Sequence, residues 1–402
     1  MTAWKKYTVE QLIDLDMLEA PMDGNHGSIH PKASDYVLTG VPFIMVNDMS
    51  NGHVDLKNCV FISEKQAGTL RKGFAKPGDV LLSHKATIGR TAIVPNDFDT
   101  IILTPQITYY RVKKGIDNRF LKYYFDSPNF QILFNTWAGS GSTRAYLGIT
   151  AQRKLPIILP ELDEQIKIAD ILSSIDKKID KNNAINNNLE QQAQAIFINE
   201  FLSLKTLPDN WKQANLIDIA DYLNGLAMQK YRPTGDEIGI SVLKIRELRQ
   251  GFCDNNSELC SPNIKSEYII HDGDVIFSWS GSLLVDFWCG GICGLNQHLF
   301  KVTSSKYDKW FYYAWTKHYL DRFISFAADK ATTMGHIKRD ELGKAEVFIP
   351  NESDYSRIGA LLQPIYDLII SNRIENKKLA SLRETLLPKL MSGELDVSDI
   401  DL

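Results

Sequence analysis

Ser83-His84-Lys85-Ala86-Thr87-Ile88-Gly89-Arg90 follows an apolar run and gathers small hydroxyls, a glycine and two cations. Gly139-Ser140-Gly141-Ser142-Thr143-Arg144-Ala145-Tyr146 is a second polar, glycine-rich loop. Both have counterparts further along the chain: Ser278-Trp279-Ser280-Gly281-Ser282, and Asp329 to His336 followed by Lys338 and Arg339. Hydroxyls, cations and exposed backbone N–H groups bind phosphate oxygens, and Arg, Lys, Gln and His also read base edges. Taken singly, each stretch is better explained as a solvated loop. Their return in the second half, with side chains changed and placement kept, points to two binding sites of one design and different specificity. The candidate contacts are Ser83, His84, Lys85, Thr87, Arg90, Ser142, Thr143, Arg144 and Tyr146 in the first half. In the second half they are Arg246, Trp279, Ser280, Ser282, Gln297, His298, Lys330, Thr332, Thr333, His336 and Lys338.

Signatures of catalysis are missing beside these loops. The chain has no G-x-x-x-x-G-K-[ST] loop, no HExxH and no glycine-rich dinucleotide fingerprint. It also has no Asn/Asp-Pro-Pro-aromatic motif and no convincing nuclease carboxylate set. Asp272 and Asp274 flank Gly273, but the first half repeats this as Gly78-Asp79, which favours a turn role. Cys253, Cys260, Cys289 and Cys293 include a C-x3-C that zinc could use. The first half has only Cys59 to match, so the cysteines read as ordinary thiols and no metal is expected.

The elements that position the loops come as a duplication. Ile168, Leu172, Ile175, Ile179, Asn182, Asn186, Leu189, Ala193 and Ile196 follow at alternating steps of four and three. Ile358, Leu362, Ile365, Ile369, Asn372, Asn376, Leu379, Arg383 and Leu386 repeat them at a constant offset of 190. Such spacing is a coiled-coil seam, where buried Asn fixes register at some cost in stability. The repeat continues outward. Trp4-Lys5 matches Trp211-Lys212 (207), Val46 to Gly52 matches Ile245 to Gly251 (199), and Gly78-Asp79-Val80 matches Gly273-Asp274-Val275 (195). Gln106 matches Gln297 (191) and Pro160 matches Pro350 (190). A one-way drift of offset marks a domain duplication in which the first copy has the longer loops.

The fold class that follows is α+β, with two duplicated mixed α/β heads joined by two long helices able to pair. In the first head, Val41–Met49, Asp79–Leu82, Thr91–Val94 and Ile101–Val112 read as strands, and Phe120–Trp137 as helix broken at Ser127-Pro128. In the second, Ser241–Leu248, Asp274–Trp279 and Leu299–Val302 read as strands and Trp310–Phe326 as helix. Pro160 and Pro350 each close a strand before an acidic helix start. Some 40 helical residues would span about 60 Å. The second helix is expected to stop near Pro388, leaving an acidic, loose tail from Ser392.

Composition sets limits. The chain has 402 residues, 44% of them hydrophobic, enough for more than one core. Met1 to Gln11 does not resemble a signal peptide, and no apolar run is long enough to cross a bilayer, so no membrane role is expected. Five unevenly spaced cysteines suit a cytoplasmic, reducing setting. A net charge of −4 means that any grip on nucleic acid needs local basic patches or a partner's charge.

Leu155 to Gln165, continuing Ile168-Ala169-Asp170-Ile171-Leu172, resembles the central conserved region of specificity subunits of type I restriction–modification systems. Leu382 to Leu395 resembles that family's distal region. Pro42 to Gly52, Gly78 to Leu82 and Asn296-Gln297-His298 are similar to its target-recognition domains. Asn351 to Tyr355 departs from the Pro-Leu-Glu-Glu-Gln-like start usual before the second helix. The resemblance implies target-recognition domains at 1–155 and 208–345, with helical regions at 156–207 and 346–402. It further implies an antiparallel coiled coil holding two heads that each read half of a split double-stranded DNA target. Heads on one face of a duplex would need centres roughly 34 Å apart. Two modification subunits using S-adenosylmethionine to methylate adenine N6, and restriction subunits using ATP and magnesium, would be the partners. The chain itself would bind no cofactor and do no chemistry. Two other readings stay open: a self-contained DNA-modifying enzyme, and a coiled-coil scaffold with protein-binding heads.

Overall fold

The computed structural model describes residues 4–139, 145–329, 337, 339–398 and 400. Two compact units divide the chain: Met1–Lys177 with Ser381–Leu402, and Lys178–Ala380. Each contains one head and a stretch of both long helices.

In the first unit, Lys5–Thr8 pairs antiparallel with Pro156–Leu159. An antiparallel sheet runs in the order Thr91–Ile93, Val80–Ser83, Ile107–Tyr110, Met22–Asp23. Its two middle strands are buried along their whole length, as apolar runs flanked on both faces must be. A second sheet is ordered Tyr36–Val37, Val60–Ile62, Val41–Ile44, Ile101–Leu103, Phe74–Ala75, with Val41–Ile44 and Ile101–Leu103 parallel. The run Ile101–Val112 is therefore two strands in two sheets, parted at Thr104-Pro105-Gln106, where the proline has no N–H for a ladder.

The second unit repeats this plan. Lys212–Asn215 pairs with Glu346–Ile349, and one sheet is ordered Asp221–Asn224, Leu299–Thr303, Val275–Ser278, Leu284–Phe287. The other is Leu259–Cys260, Ile240–Leu243, Cys293–Leu295, Ile269–Ile270, again with a parallel central pair. The first head adds the edge strand Tyr36–Val37 and the hairpin Met49–Ser50/His53–Val54. That hairpin turns at Asn51 and Gly52, both at positive φ, as a two-residue turn requires. The second head has helix Ile245–Gln250 there instead, ended by Gly251 in the left-handed region, so Ser241–Leu248 is a strand followed by a helix.

Aromatic helices cover the sheets. Asp117 caps Asn118–Asp126 by accepting from the N–H groups of Arg119 and Phe120. Ser127 then ends that helix and caps Pro128–Trp137, whose proline takes the first turn, where no donor is needed. Phe120, Phe125, Phe130 and Phe134 enter the core with Ile168 and Leu172 of the first long helix. In the second unit, Trp310, Phe311, Trp315 and Phe323 of Lys309–His318 and Leu320–Asp329 pack with Ile358 and Leu362 of the second long helix. Head and helix thus share one core in each unit.

The long helices are Leu162–Phe197, followed by a π turn at Ile198–Leu202, and Glu352–Met391. Asn351 replaces the usual start of the second with a cap, its side-chain oxygen accepting from the Asp354 N–H at 2.9 Å. Trp4 and Trp211 tie the first strand of each head to a helix start, their indole N–H groups donating to Glu164 (3.2 Å) and Asp354 (3.0 Å).

Along the first helix Ile168, Leu172, Ile175, Asn182, Asn186 and Ala193 are buried, and Ile179, Leu189 and Ile196 partly so. Along the second, Ile358, Leu362, Ile369 and Asn372 are buried, and Ile365, Asn376, Leu379, Arg383 and Leu386 partly so. In one unit Asp176 meets Arg383 at 2.8 Å. In the other, Asn182 donates to Asn376 (2.9 Å) and Asn372 to Asn186 (2.9 Å), while Glu200 pairs with Arg357 (2.7 Å). Numbers rise on one helix as they fall on the other in that second unit, so its pairing is antiparallel.

Two sequence expectations give way here. The second helix runs through Pro388 to Met391, because Leu390 and Met391, with Leu386 and Leu387 beside them, sit on the first head's core and outweigh the one lost helical bond. The tail is not loose at its start. Val397 is fully buried, and Lys167 donates to the Ser398 carbonyl at 2.6 Å. Among the described residues no helix is long and apolar enough to cross a membrane.

Candidate nucleic-acid interface

In the first head the strand Val80–Ser83 ends in a closed loop. The Ser83 Oγ accepts from the Arg90 N–H (2.8 Å) and its carbonyl from the Gly89 N–H (2.8 Å). Ala86 and Gly89 take positive φ to make the loop close. Lys85, Thr87 and Arg90 are exposed. Arg90 is already occupied, donating to the carbonyls of Val46 (3.1 Å) and Met49 (3.2 Å), and so braces the hairpin. The strand's last contact is His84, fully buried with Nδ1 2.8 Å from Thr108 Oγ1. Among the described residues its Nε2 has no hydrogen-bond partner. Burial pushes the imidazole down to about 4, so it is neutral at pH 7. Tyr146, half exposed, lies over it with ring centres 5.7 Å apart, and Lys85 Nζ stands 5.9 Å from the Tyr146 ring. Backbone bonds clamp this arrangement: Ala86 N–H to the Ala145 carbonyl and Leu147 N–H to the His84 carbonyl, both 3.0 Å.

A segment that sequence reading did not single out completes the face. Met22–Asp23 pairs with Ile107–Tyr110, setting Asp23 opposite Thr108. Asp23 is buried and accepts from His26 (2.8 Å) and Lys72. Burial alone would raise its carboxyl, but Lys72 and His26 hold it below the usual range. Asn25, also buried, accepts from the Arg71 and Lys72 N–H groups. His26 is exposed and Lys72 half-buried over this carboxylate, and both, like Lys85, lie near enough to His84 to act on its charge. Gly24 allows this approach, since a Cβ there would lie 1.9 Å from the Leu103 carbonyl oxygen.

The second head has the same frame. Ile107 faces Ser83 in the first head and Leu299 faces Ser278 in the second. Gln106 thus corresponds to His298 and not to Gln297, a one-residue slip in the sequence alignment. Trp279 takes the place of His84, and Ile337 N–H bonds its carbonyl at 3.1 Å as Leu147 does that of His84. Phe300 takes the place of Thr108 and stacks on Trp279, with ring centres 5.6 Å apart. Asn224 takes the place of Asp23 and accepts from the Trp279 indole N–H at 3.0 Å. Gly225 takes the place of Gly24, a Cβ there falling 2.3 Å from the Asn296 oxygen. Ser280 Oγ is 3.1 Å from His298 Nδ1, and Gln297 Nε2 is 3.3 Å from His298 Nε2. Ser278 Oγ donates to the Ser282 carbonyl (2.9 Å), holding Ser282 exposed at the loop tip.

Ser83, His84, Lys85, Thr87 and Tyr146 thus come together in one head, and Trp279, Ser280, Gln297 and His298 in the other. Arg246 is committed elsewhere, its guanidinium bonding Glu247 (2.7 Å) and Asp254 (3.0 Å). Ser142, Thr143, Arg144, Lys330, Thr332, Thr333, His336 and Lys338 lie outside the described residues. Asp79 and Asp274 each accept a backbone N–H three residues back, from Lys76 and His271, as turn residues do. Cys289 and Cys293 point apart, Cys289 towards the Ile370 carbonyl and Cys293 towards Cys253 at 3.6 Å. Among the described residues no group of three or more His, Cys, Asp or Glu could hold a metal ion.

Comparison with known proteins adds the following. The family model described as "Type I restriction modification DNA specificity domain" matches residues 2–191 and again 208–383. The type I restriction enzyme MjaIX specificity subunit of Methanocaldococcus jannaschii is 24% identical over 401 residues, spanning 92% of this chain and 90% of its own. The HindI specificity subunit of Haemophilus influenzae is 21% identical over 436 residues, spanning 88% and 94%. The solved S subunit of a type I restriction–modification system from M. genitalium superposes with a TM-score of 0.59 at 14% identity, over 97% of this chain and 96% of that one. At that identity the likeness is one of fold.

Proposed function

The chain belongs to the type I restriction–modification DNA specificity family, and from that we propose that each head reads one half of a split double-stranded DNA target. In this reading residues 1–155 and 208–345 are the target-recognition domains, and 156–207 with 346–402 are the helical regions on which partners dock. Two modification subunits methylate adenine N6 with S-adenosylmethionine, and restriction subunits hydrolyse ATP with magnesium and cut. The protein works with them in the cytoplasm, binds none of those cofactors and does no chemistry itself.

One observation carries the reading: two heads keep one backbone frame and place different side chains at the same strand end. A frame kept while its presented chemistry changes is what two unlike half-sites require. The net charge of −4 fits recognition in which partners supply much of the phosphate grip. The test is binding by the chain co-purified with its modification subunits to a pool of random duplexes. Enrichment of one motif with two unlike halves and a fixed unread gap is expected. Equal retention of all duplexes, with affinity following salt alone, would defeat it.

A further inference from the structure

We propose that Cys253 and Cys293 form a reversible oxidation site in the second head, a dithiol that hydrogen peroxide converts to a disulfide. The assignment stands apart from the half-site reading, since it concerns thiols that DNA recognition does not use.

Two elements bring the sulfurs together. Helix Ile245–Gln250 ends at Gly251 in the left-handed region, and the chain continues through Phe252 to Cys253. Cys293 opens the strand Cys293–Leu295, which pairs parallel with Ser241 to Leu243 and antiparallel with Ile269–Ile270. The two Sγ atoms stand 3.6 Å apart as free thiols. A disulfide needs about 2.05 Å between sulfurs, so closure asks for an approach of roughly 1.5 Å. Cys253 sits in a loop outside any ladder and supplies that movement, whereas Cys293 is held by strands on both sides. The other thiols lie elsewhere. Cys59 belongs to the first head, and Cys289 points to the Ile370 carbonyl. Cys260 packs with Met228 and Val242, on the opposite face of the sheet from Cys293.

The pair is asymmetric, as stepwise oxidation requires. Cys253 is half-buried beside the exposed Phe252, and Cys293 is fully buried. The Cys293 S–H, with the Ser241 and Ser257 hydroxyls, donates to the Cys253 sulfur and holds that thiol below its ordinary value. Burial and the Glu247 carboxylate oppose this. The same bond, and then burial, push Cys293 up. The thiolate is the nucleophile, so the outer sulfur reacts first and the inner one waits as a thiol. The Cys253 thiolate attacks one peroxide oxygen. An S–O bond forms, the O–O bond breaks, and hydroxide leaves with the Cys253 proton as water, giving a sulfenic acid. The Cys293 sulfur then attacks that sulfur. The S–S bond forms, the S–O bond breaks, and the departing hydroxide takes the Cys293 proton as a second water. Two thiols are oxidised and one peroxide is reduced. Exchange with a small thiol such as glutathione reverses the bridge. While closed, it ties the loop after the helix to the strand that leads into Gln297 and His298.

The test treats the full chain, co-purified with its modification subunits, with hydrogen peroxide at a dose that oxidises free glutathione completely. The protein is then alkylated in denaturant and its peptides are mapped by mass spectrometry. A linked Cys253–Cys293 peptide that dithiothreitol removes is expected, with Cys59, Cys260 and Cys289 recovered alkylated. In Cys293→Ser, dimedone should trap a sulfenic acid at Cys253. In Cys253→Ser, Cys293 should remain a thiol. Recovery of both Cys253 and Cys293 alkylated from the natural chain, or Cys253 linked to a different thiol, would overturn the proposal. So would a Cys293 that oxidises as readily without Cys253. Mapping the natural chain decides the bridge itself, whether or not either variant folds.

Discussion

Removing one residue of the Asn186–Asn372 pair should gain nothing, and removing both should stabilise the chain. Asn372 donates to Asn186 at 2.9 Å, and both side chains are more than nine-tenths buried. Asn186→Leu alone leaves the Asn372 amide without a partner in a dry seam, at about 1–3 kcal/mol. The leucine returns about 1.5–3 kcal/mol by burial, so the single variants should fall near neutral or lose about 1 kcal/mol with the bond itself. Asn186→Leu with Asn372→Leu keeps two buried leucines and no orphaned amide, and should gain about 2–4 kcal/mol. The double variant is therefore predicted to be more stable than the natural protein, although neither single variant is. Urea unfolding of the full chain by tryptophan fluorescence is the assay. Five of the seven tryptophans (Trp211, Trp279, Trp288, Trp310, Trp315) lie in the unit that contains this pair, so the signal reports on it. Single effects that sum to the double within about 0.5 kcal/mol would refute the pairing.

Three further outcomes follow from the same structure. His84 is held neutral by burial, with Asp23, His26, Lys85 and Lys72 as its charged neighbours, and its folded value of about 4 lies below the ordinary 6.5. The unfolded chain then binds the extra proton, so the first unit should lose about 3 kcal/mol as pH falls from 6.5 to 4. His84→Gln should flatten that limb of the melting-temperature curve, and an unaltered limb would count against it. Trp4→Phe and Trp211→Phe should each cost about 1 kcal/mol in denaturant unfolding, because each removes one indole bond to a helix-start carboxylate. A loss at only one of the two would break their equivalence. Gly24→Ala and Gly225→Ala should each be severely destabilising, above about 3 kcal/mol, since backbone oxygen occupies the Cβ position in both. A melting temperature within about 2 °C of the natural protein in either variant would contradict the shared frame.

The sequence shows the architecture where a physical repeat leaves a numerical trace. The constant offset along the seam places nine paired positions, and the Trp4 and Trp211 match has its reason in strands that tie each head to a helix start. Ser127-Pro128 marks a junction because one serine ends one helix and caps the next. Local signals fail where packing overrides them: Pro388 is carried through by the core under Leu390, and Val397 is drawn into that core from a polar tail. The candidate face was half legible. His84, Tyr146 and Trp279 stand in loops of suggestive composition, but Asp23, His26 and Lys72 reach the site from segments with no motif. A trace of them was present. Asp23-Gly24 and Asn224-Gly225 match at an offset of 201, between the 207 and 199 of the flanking anchors. Arg246 shows the opposite failure, because its exposure does not reveal that Glu247 and Asp254 already hold it.

The measurement that bears most directly on the central claim is modified-base sequencing of host DNA with and without this gene, the modification subunits being present in both. Loss of adenine methylation at one motif with two unlike halves and a fixed gap is the predicted result. Methylation that stays the same at every site would contradict it, and would leave the heads as binders of something other than that DNA.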